Sequence, residues 1–229
     1  MIIFGKHACE SALANPKRKI KRIYVTDRTK NDIRLAHNHP TPKIINIREF
    51  DKLVPHDSVH QGIAIEAEPL TDHGLKSIYN ENLLVILDQV TDPHNVGAIM
   101  RSCAAFGAGA IIVPKDNAPT ESGTMAKAAS GAMEIIPICK VTNLARAMEE
   151  LKKEGFWIAG LDGRAKGDLK SANLKGKTAI VLGAEGRGLR PLTQKNCDIL
   201  VKLPISEKME SLNVSNAAAI CLYELASGL

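Results

Sequence analysis

The chain has 229 residues, 45% apolar and 24% charged, with five cysteines and a formal net charge of +5. That composition is ordinary for a globular protein of one or two domains, and no apolar run reaches the roughly 18 residues a membrane helix needs. The opening Met1-Ile2-Ile3-Phe4-Gly5-Lys6-His7 has no signal-peptide pattern, and the cysteines at 9, 103, 139, 197 and 221 include no C-x-x-C pair and are odd in number. A reducing, cytoplasmic setting is therefore expected, with buried thiols, no disulfide framework, no membrane partner and no metal site.

The positive charge sits at the start. Residues 1–34 hold nine Lys or Arg against three acids, and the remaining residues hold 21 against 22. A basic end on a near-neutral body suits a polyanion gripped by one part and worked on by another, although a solvated charged face fits the same numbers. Within this segment residues 7–15 have a helical pattern, and strand-like runs follow at 20–26, 44–47 and 62–68. This pattern predicts a small α/β domain over residues 1–70. Turn-rich residues 69–74 place a linker at 71–82.

From residue 83 the pattern changes. Apolar runs at 83–87, 110–113, 134–138, 157–161, 178–182 and 199–203 alternate with helical stretches. Short continuous apolar strands between helices predict an α/β domain over 83–229, with a mainly parallel sheet covered on both faces. Leu144, Met148 and Leu151 mark an amphipathic helix within 142–154. A final helix is expected over 216–226, with Ser215 as its N-cap and a stop near Gly228.

Three polar or glycine-rich clusters follow such strands, where open α/β sheets build ligand sites. Asn95 and Arg101 are six apart in an expected helix that begins at Asn95. Asn95 could be only an N-cap and Arg101 only a surface cation, yet an arginine at this sheet edge can fork onto a phosphate. Gly183-Ala184-Glu185-Gly186-Arg187-Gly188 follows the run at 178–182. Its G-x-x-G-x-G order, late in the chain, is neither a dinucleotide fingerprint nor a P-loop, and by itself it reads more often as a tight turn than as a site. Ser211-Leu212-Asn213-Val214-Ser215 precedes the last helix, where its hydroxyl and amide groups suit caps or a polar site equally. Met209 and Leu212 read as core, His60 as loop structure and His94 as a capping or solvent residue.

Taken in order, the motifs Asn95-x-Gly97-x-x-x-Arg101, Leu182-Gly183-Ala184-Glu185-Gly186-x-Gly188 and Leu203-Pro204 through Ser211-Leu212-Asn213-Val214-Ser215 to Leu222-Tyr223-Glu224 resemble the SpoU (TrmH-type) family of RNA ribose 2′-O-methyltransferases, in the SPOUT superfamily. The match spans about 83–229. Phe4-Gly5-Lys6-His7-Ala8 and Val59-His60-Gln61-Gly62-Ile63 resemble the family's small, ribosomal-protein-like RNA substrate-binding domain, and Asp88-Gln89-Val90-Thr91-Asp92-Pro93-His94-Asn95 is most similar to the 23S rRNA guanosine enzymes of bacteria. Related enzymes of this build modify other rRNA or tRNA sites.

The resemblance implies a C-terminal trefoil knot, S-adenosylmethionine as cofactor and a homodimer with a shared active site. It implies catalytic roles for Arg101, Asn95, Glu185, Ser211 and Asn213, and cofactor contacts around Leu182, Gly183, Gly186, Leu203 and Leu212. Residues 206–210 depart from the family, being charged where a small glycine-containing loop is usual. An arginine base is demanding because its pKa is above about 12, so positioning phosphate and hydroxyl is the simpler role for Arg101. With aromatic residues at only 3%, phosphate contacts by Lys17, Arg18, Lys19, Lys21 and Arg22 are expected to carry RNA affinity. Two readings of other classes compete: a catalytically silent RNA-binding protein of the same fold, and a nicotinamide-dependent oxidoreductase using the glycine loop.

Overall fold

In the computed structural model, which describes residues 1–56 and 58–226, the strands fall into two separate sheets. The expected helix stop near Gly228 lies outside the described residues. The first sheet is built from β1 (Ile2–Phe4), β2 (Ile20–Val25), β3 (Lys43–Ile44) and β4 (Ile63–Ala67), in the order β1-β4-β2-β3, with α1 (Lys6–Ala14) and α2 (Ile47–Leu53) between strands. Side chains alternate along β4. Ile63 and Ile65 join the α1 residues Cys9, Ala12 and Leu13, while Ala64 joins Phe4, Tyr24 and Phe50 beneath α2. Both faces of the sheet are therefore covered around Ile63–Ile65 of β4, which a strand of period two makes possible.

The expected strand at 44–47 is mostly something else. Only Lys43 and Ile44 pair with β2, and Ile47 already begins α2. A reciprocal capping box explains this: the Asn46 side chain accepts from the Glu49 amide, and the Glu49 carboxylate accepts from the Asn46 amide. Two helix-end donors are satisfied in this way, and that outweighs the strand preference of the isoleucines.

The second sheet contains β5 (Leu83–Asp88), β6 (Ala110–Pro114), β7 (Ile138–Val141), β8 (Trp157–Leu161), β9 (Gly167–Asp168), β10 (Thr178–Gly183) and β11 (Ile199–Lys202). Its order is β7-β6-β5-β10-β8-β11-β9, and every pairing is parallel. The helices α3 (Pro93–Phe106), α4 (Gly123–Ala129), α5 (Leu144–Lys153), α6 (Pro191–Lys195) and α7 (Val214–Ala226) connect or follow these strands. Leu83, Val85 and Leu87 face one core with α3, α4 and α7, and Leu84 and Ile86 face the other with α5. Each such fully buried aliphatic side chain contributes about 1.5–3 kcal/mol, which is why the unbroken apolar run of β5 lies inside the sheet.

The expected strand at 134–138 is displaced. Residues Ala132–Glu134 form a 3-10 turn, Ile135 is largely exposed, and pairing begins only at Ile138. Glu134 is held away from the sheet by Arg18. Its carboxylate accepts from Arg18 Nη2 at 2.7 Å and from Asn15 Nδ2 at 2.7 Å, while Arg18 Nη1 also donates to Glu121 and to the Glu68 carbonyl. The Arg18 side chain is fully buried. It ties the first 68 residues to the second sheet's domain and is unavailable to RNA phosphate, contrary to the sequence expectation. Nor does the stretch 71–82 hang free: His73 bridges to Cys139 of β7, and Ile78 is buried in the second core.

Candidate active site

The first motif follows β5. Asp92, rather than Asn95, caps α3, with its carboxylate accepting from the amides of His94 and Asn95 at 3.1 and 3.3 Å. Asn95 thus lies one turn inside the helix, and its side chain bonds away from its own backbone, with Oδ1 accepting from Asn213 Nδ2 at 3.1 Å. Asn213 in turn accepts through Oδ1 from the Ser215 amide at 2.9 Å and the Ser215 hydroxyl at 2.6 Å. Since α7 begins at Val214, Asn213 holds the capping place expected of Ser215. One pair of asparagines therefore joins the entrances of two helices whose sequences lie 118 residues apart.

Gly97 serves packing. A Cβ there would come within 2.4 Å of the Met125 carbonyl oxygen, so only glycine lets α3 sit this close to α4. Arg101, a turn further along α3, is exposed, and among the described residues it has no ion-pair partner.

The second motif leaves β10. The chain turns back so tightly that Gly188 donates its amide to the Ala184 carbonyl at 2.8 Å, and a Cβ on Gly183 would lie 2.2 Å from the Gly188 carbonyl carbon. Asp88, fully buried at the end of β5, fixes the exit of this loop by accepting from Arg190 at its amide (2.9 Å) and at Nε (2.6 Å). The sequence reading assigned Asp88 no place in the site, and its one signal is an acid closing an otherwise apolar strand.

These loops enclose a cavity of about 690 Å³. Leu182, Gly183, Gly186, Leu203 and Leu212 all line it, together with Glu185 and Ser211. Asp162, which sequence reasoning missed, lines it too. Arg164 hydrogen-bonds its carboxylate and holds it below the usual range. Leu212 is thus cavity wall, and Met209, 60% exposed in the charged loop before it, is not core.

A second cavity, of about 710 Å³, contains Arg101, His94 and Ser215, with Phe4 of β1 and Val59 of the loop before β4 closing it from the other side. Within one chain Arg101 and Gly183 therefore line different cavities, and the Asn95–Asn213 hydrogen bond joins the motifs between them. Of the basic residues near the start, Lys17, Lys19, Lys21 and Arg22 are exposed. Lys19 and Lys21 lie 3.7 and 3.3 Å from Glu68, and Arg22 lies 3.5 Å from Glu66. Such solvated pairs are worth about 0–1 kcal/mol, so a phosphate can replace the carboxylate at little cost. Among the described residues no group of His, Cys, Asp or Glu is placed to hold a metal ion, and no helix is long and apolar enough to cross a membrane.

Residues 82–223 match the model of the SpoU rRNA methylase family, and residues 2–73 match that of the RNA 2′-O ribose methyltransferase substrate-binding family. The chain belongs to the SpoU family. Similar curated SpoU relatives include the 23S rRNA (guanosine-2′-O-)-methyltransferases of Photobacterium profundum, 42% identical over 97% of this chain and 96% of that one, and of Pseudomonas syringae, 40% identical over 97% and 93%. Among solved SpoU structures, AviRb from Streptomyces viridochromogenes, in complex with AdoMet, superposes with a TM-score of 0.82 at 20% identity, covering 99% of this chain and 89% of that one. The AdoMet-bound rRNA methyltransferase from Sinorhizobium meliloti gives 0.80 at 22% identity, covering 97% and 85%. At those identities the two structures establish the shared SpoU fold.

Proposed function

We propose that this chain transfers a methyl group from S-adenosylmethionine to the 2′-hydroxyl of an RNA ribose, at a guanosine of 23S rRNA. The observation that carries this reading is the Asn213–Asn95 hydrogen bond, which ties the first motif to the third, while the second and third line one cavity together. The named activity of relatives about 40% identical along nearly the whole chain supports the guanosine of 23S rRNA as the target.

The residues around the 690 Å³ cavity fit the cofactor. Its volume is that of a small-molecule site. Leu182, Leu203 and Leu212 offer apolar walls, and the backbone at Gly183 and Gly186 offers amides and carbonyls. The lining carries both signs of charge, with Asp162, Glu185 and Glu210 beside Arg164 and Arg187, which suits a ligand with an ammonium and a carboxylate. S-adenosylmethionine, when bound, supplies a methyl group on a positively charged sulfur. The hydroxyl is the difficult partner, so what the protein must provide is alignment and help with proton removal. Arg101 holds phosphate and ribose in place through its guanidinium fork. Asn95 and Asn213 fix the helix that carries it, and Glu185 and Ser211 orient the ribose from the glycine-loop side.

Arg101 and Gly183 meet across a homodimer in this reading, one protomer's arginine facing its partner's loop. Their separation into two cavities of one chain supports this, as do the exposed Ile220 and Tyr223 on α7. A C-terminal trefoil knot belongs to the same reading, supported by the insertion of β10 between β5 and β8. Residues 1–70 act as the RNA substrate-binding domain, 71–82 as the connection and 83–229 as the catalytic domain. The cytoplasm is the place of action, in keeping with five free thiols.

Undermodified 23S rRNA incubated with the protein and radiolabelled S-adenosylmethionine tests the reading, with mass-spectrometric mapping of the product. Label on the ribose of one guanosine, lost in Arg101→Ala, is expected. Label confined to tRNA would replace the substrate assignment, and no label in any RNA would overturn the activity.

A further inference from the structure

The cleft that holds Arg101 is built by both halves of the chain. Phe4 and Val59 come from the first sheet's domain, Arg101 from α3, Lys127 from α4 and Ser215 from α7. Among the described lining residues, His94, Arg101 and Lys127 are basic and none is acidic. A concave surface with cations and no compensating carboxylate attracts anions.

The setting of Lys127 is specific. Its ammonium donates to Gln61 Oε1 at 3.0 Å, and its stem lies over Gly5, where an added Cβ would come within 2.8 Å of Cδ. Gly5 has a φ of +90°, so the chain bends there in a conformation that leaves the slot open. Gln61 is also in the left-handed region, at φ 57°, which side chains other than glycine seldom adopt. Its Oε1 accepts a second hydrogen bond, from the Lys6 amide at 3.0 Å. Two unusual backbone conformations in the first domain thus aim a lysine of the second. The group that aims it is a neutral amide, which orients the ammonium without cancelling its charge, as a carboxylate would.

We propose that Lys127 is a second anchor for the RNA backbone, receiving a phosphodiester of the strand that flanks the target ribose in the cleft it shares with Arg101. This rests on the reading of Arg101 as a substrate-binding residue. Gln61 is the positioning residue. The strand therefore enters between the two domains, with its backbone toward α3 and α4.

The test uses the full chain and an oligoribonucleotide carrying the methylated site. Lys127→Met keeps the stem over Gly5 and removes the charge. Its expected effects are a roughly tenfold rise in KM for RNA with kcat within about twofold, and a slope of log affinity against log salt shallower by about 0.7–0.9. Lys127→Arg restores the slope. Gln61→Glu neutralises Lys127 in place; it is expected to leave thermal stability equal or higher while raising KM and flattening the slope, which a merely structural contact would not do. Wild-type slope and KM in both Lys127→Met and Gln61→Glu would overturn the anchor, while loss of activity in Arg101→Ala would keep the proposed function intact. Conversely, a charge-dependent slope without any methyl transfer would support the anchor and sink the proposed function.

Discussion

The two cavities differ in how they are made and in what they attract. The glycine-loop cavity is assembled from the ends of β8, β10 and β11 and the start of α7, and mixes apolar walls and backbone with three acids, Asp162, Glu185 and Glu210, and two arginines, Arg164 and Arg187. The cleft around Arg101 draws on β1, the approach to β4, α3, α4 and α7, and its ionisable lining residues are all basic. One suits a compact ligand carrying charges of both signs; the other suits a polyanion. The two cavities are thus physically separate, while one hydrogen bond, Asn213 to Asn95, joins the entrances of the helices α3 and α7 that help to line them.

The sharpest way to break this division is Arg101→Ala. Methyl transfer should fall by about 10³-fold, with calorimetric binding of S-adenosylhomocysteine within about twofold of wild type. Loss of both together would show that the two cavities are not independent. Arg18→Ala attacks the brace between the domains. Removing one partner of a buried ion pair costs about 3–5 kcal/mol, so urea unfolding should shift by that amount. The RNA salt slope of the folded variant should not move, because the Arg18 guanidinium faces Glu134 and Glu121 rather than solvent.

Gly183→Ala tests the other cavity. With a Cβ placed 2.2 Å from Gly188 the turn must open, at a cost of about 1–3 kcal/mol. Binding of S-adenosylhomocysteine should weaken at least about tenfold, with RNA affinity unchanged in a filter-binding assay. Changing Lys19, Lys21 and Arg22 together to Gln should flatten the RNA salt slope by about 2–3, at about 0.7–0.9 per lost contact, without altering the melting temperature. An unchanged slope would remove this face from the RNA path. The smallest effect concerns thiols that neither cavity uses. Burial pushes Cys103 and Cys221 up to about 12, so at pH 8 both are protonated and iodoacetamide should label them only after unfolding. Prompt labelling of the folded protein at that pH would show that the core around α3 and α7 opens readily.

Strands are legible wherever an apolar run is long and buried on both faces, as at 83–88, 157–161 and 178–183. The apolar pattern misleads where one side chain's partner decides the outcome. Asn46 turns an isoleucine-rich stretch into a helix, and Arg18 draws Glu134 out of an expected strand. The two helix caps differ from expectation because each helix starts earlier, with Asp92 accepting from the amides of His94 and Asn95 and Asn213 from that of Ser215, so Asn95 and Ser215 already lie inside their helices.

By itself, then, the sequence determined the parallel α/β core, the motifs of the SpoU family and that part of the glycine-loop cavity's lining which the motifs supply. These depend on local spacing: a strand's period of two, a loop's glycines, residues adjoining one strand end. The tertiary structure alone decided that Arg18 is a buried brace, that Asp88 anchors the exit of the glycine loop, that Asp162 lines the cavity beside it, and that Gln61 aims Lys127 into the cleft of Arg101. Each of these follows from side chains dozens of residues apart coming within hydrogen-bond reach. No periodicity along the chain encodes such pairings, because they arise only when two sheets pack and their edges meet.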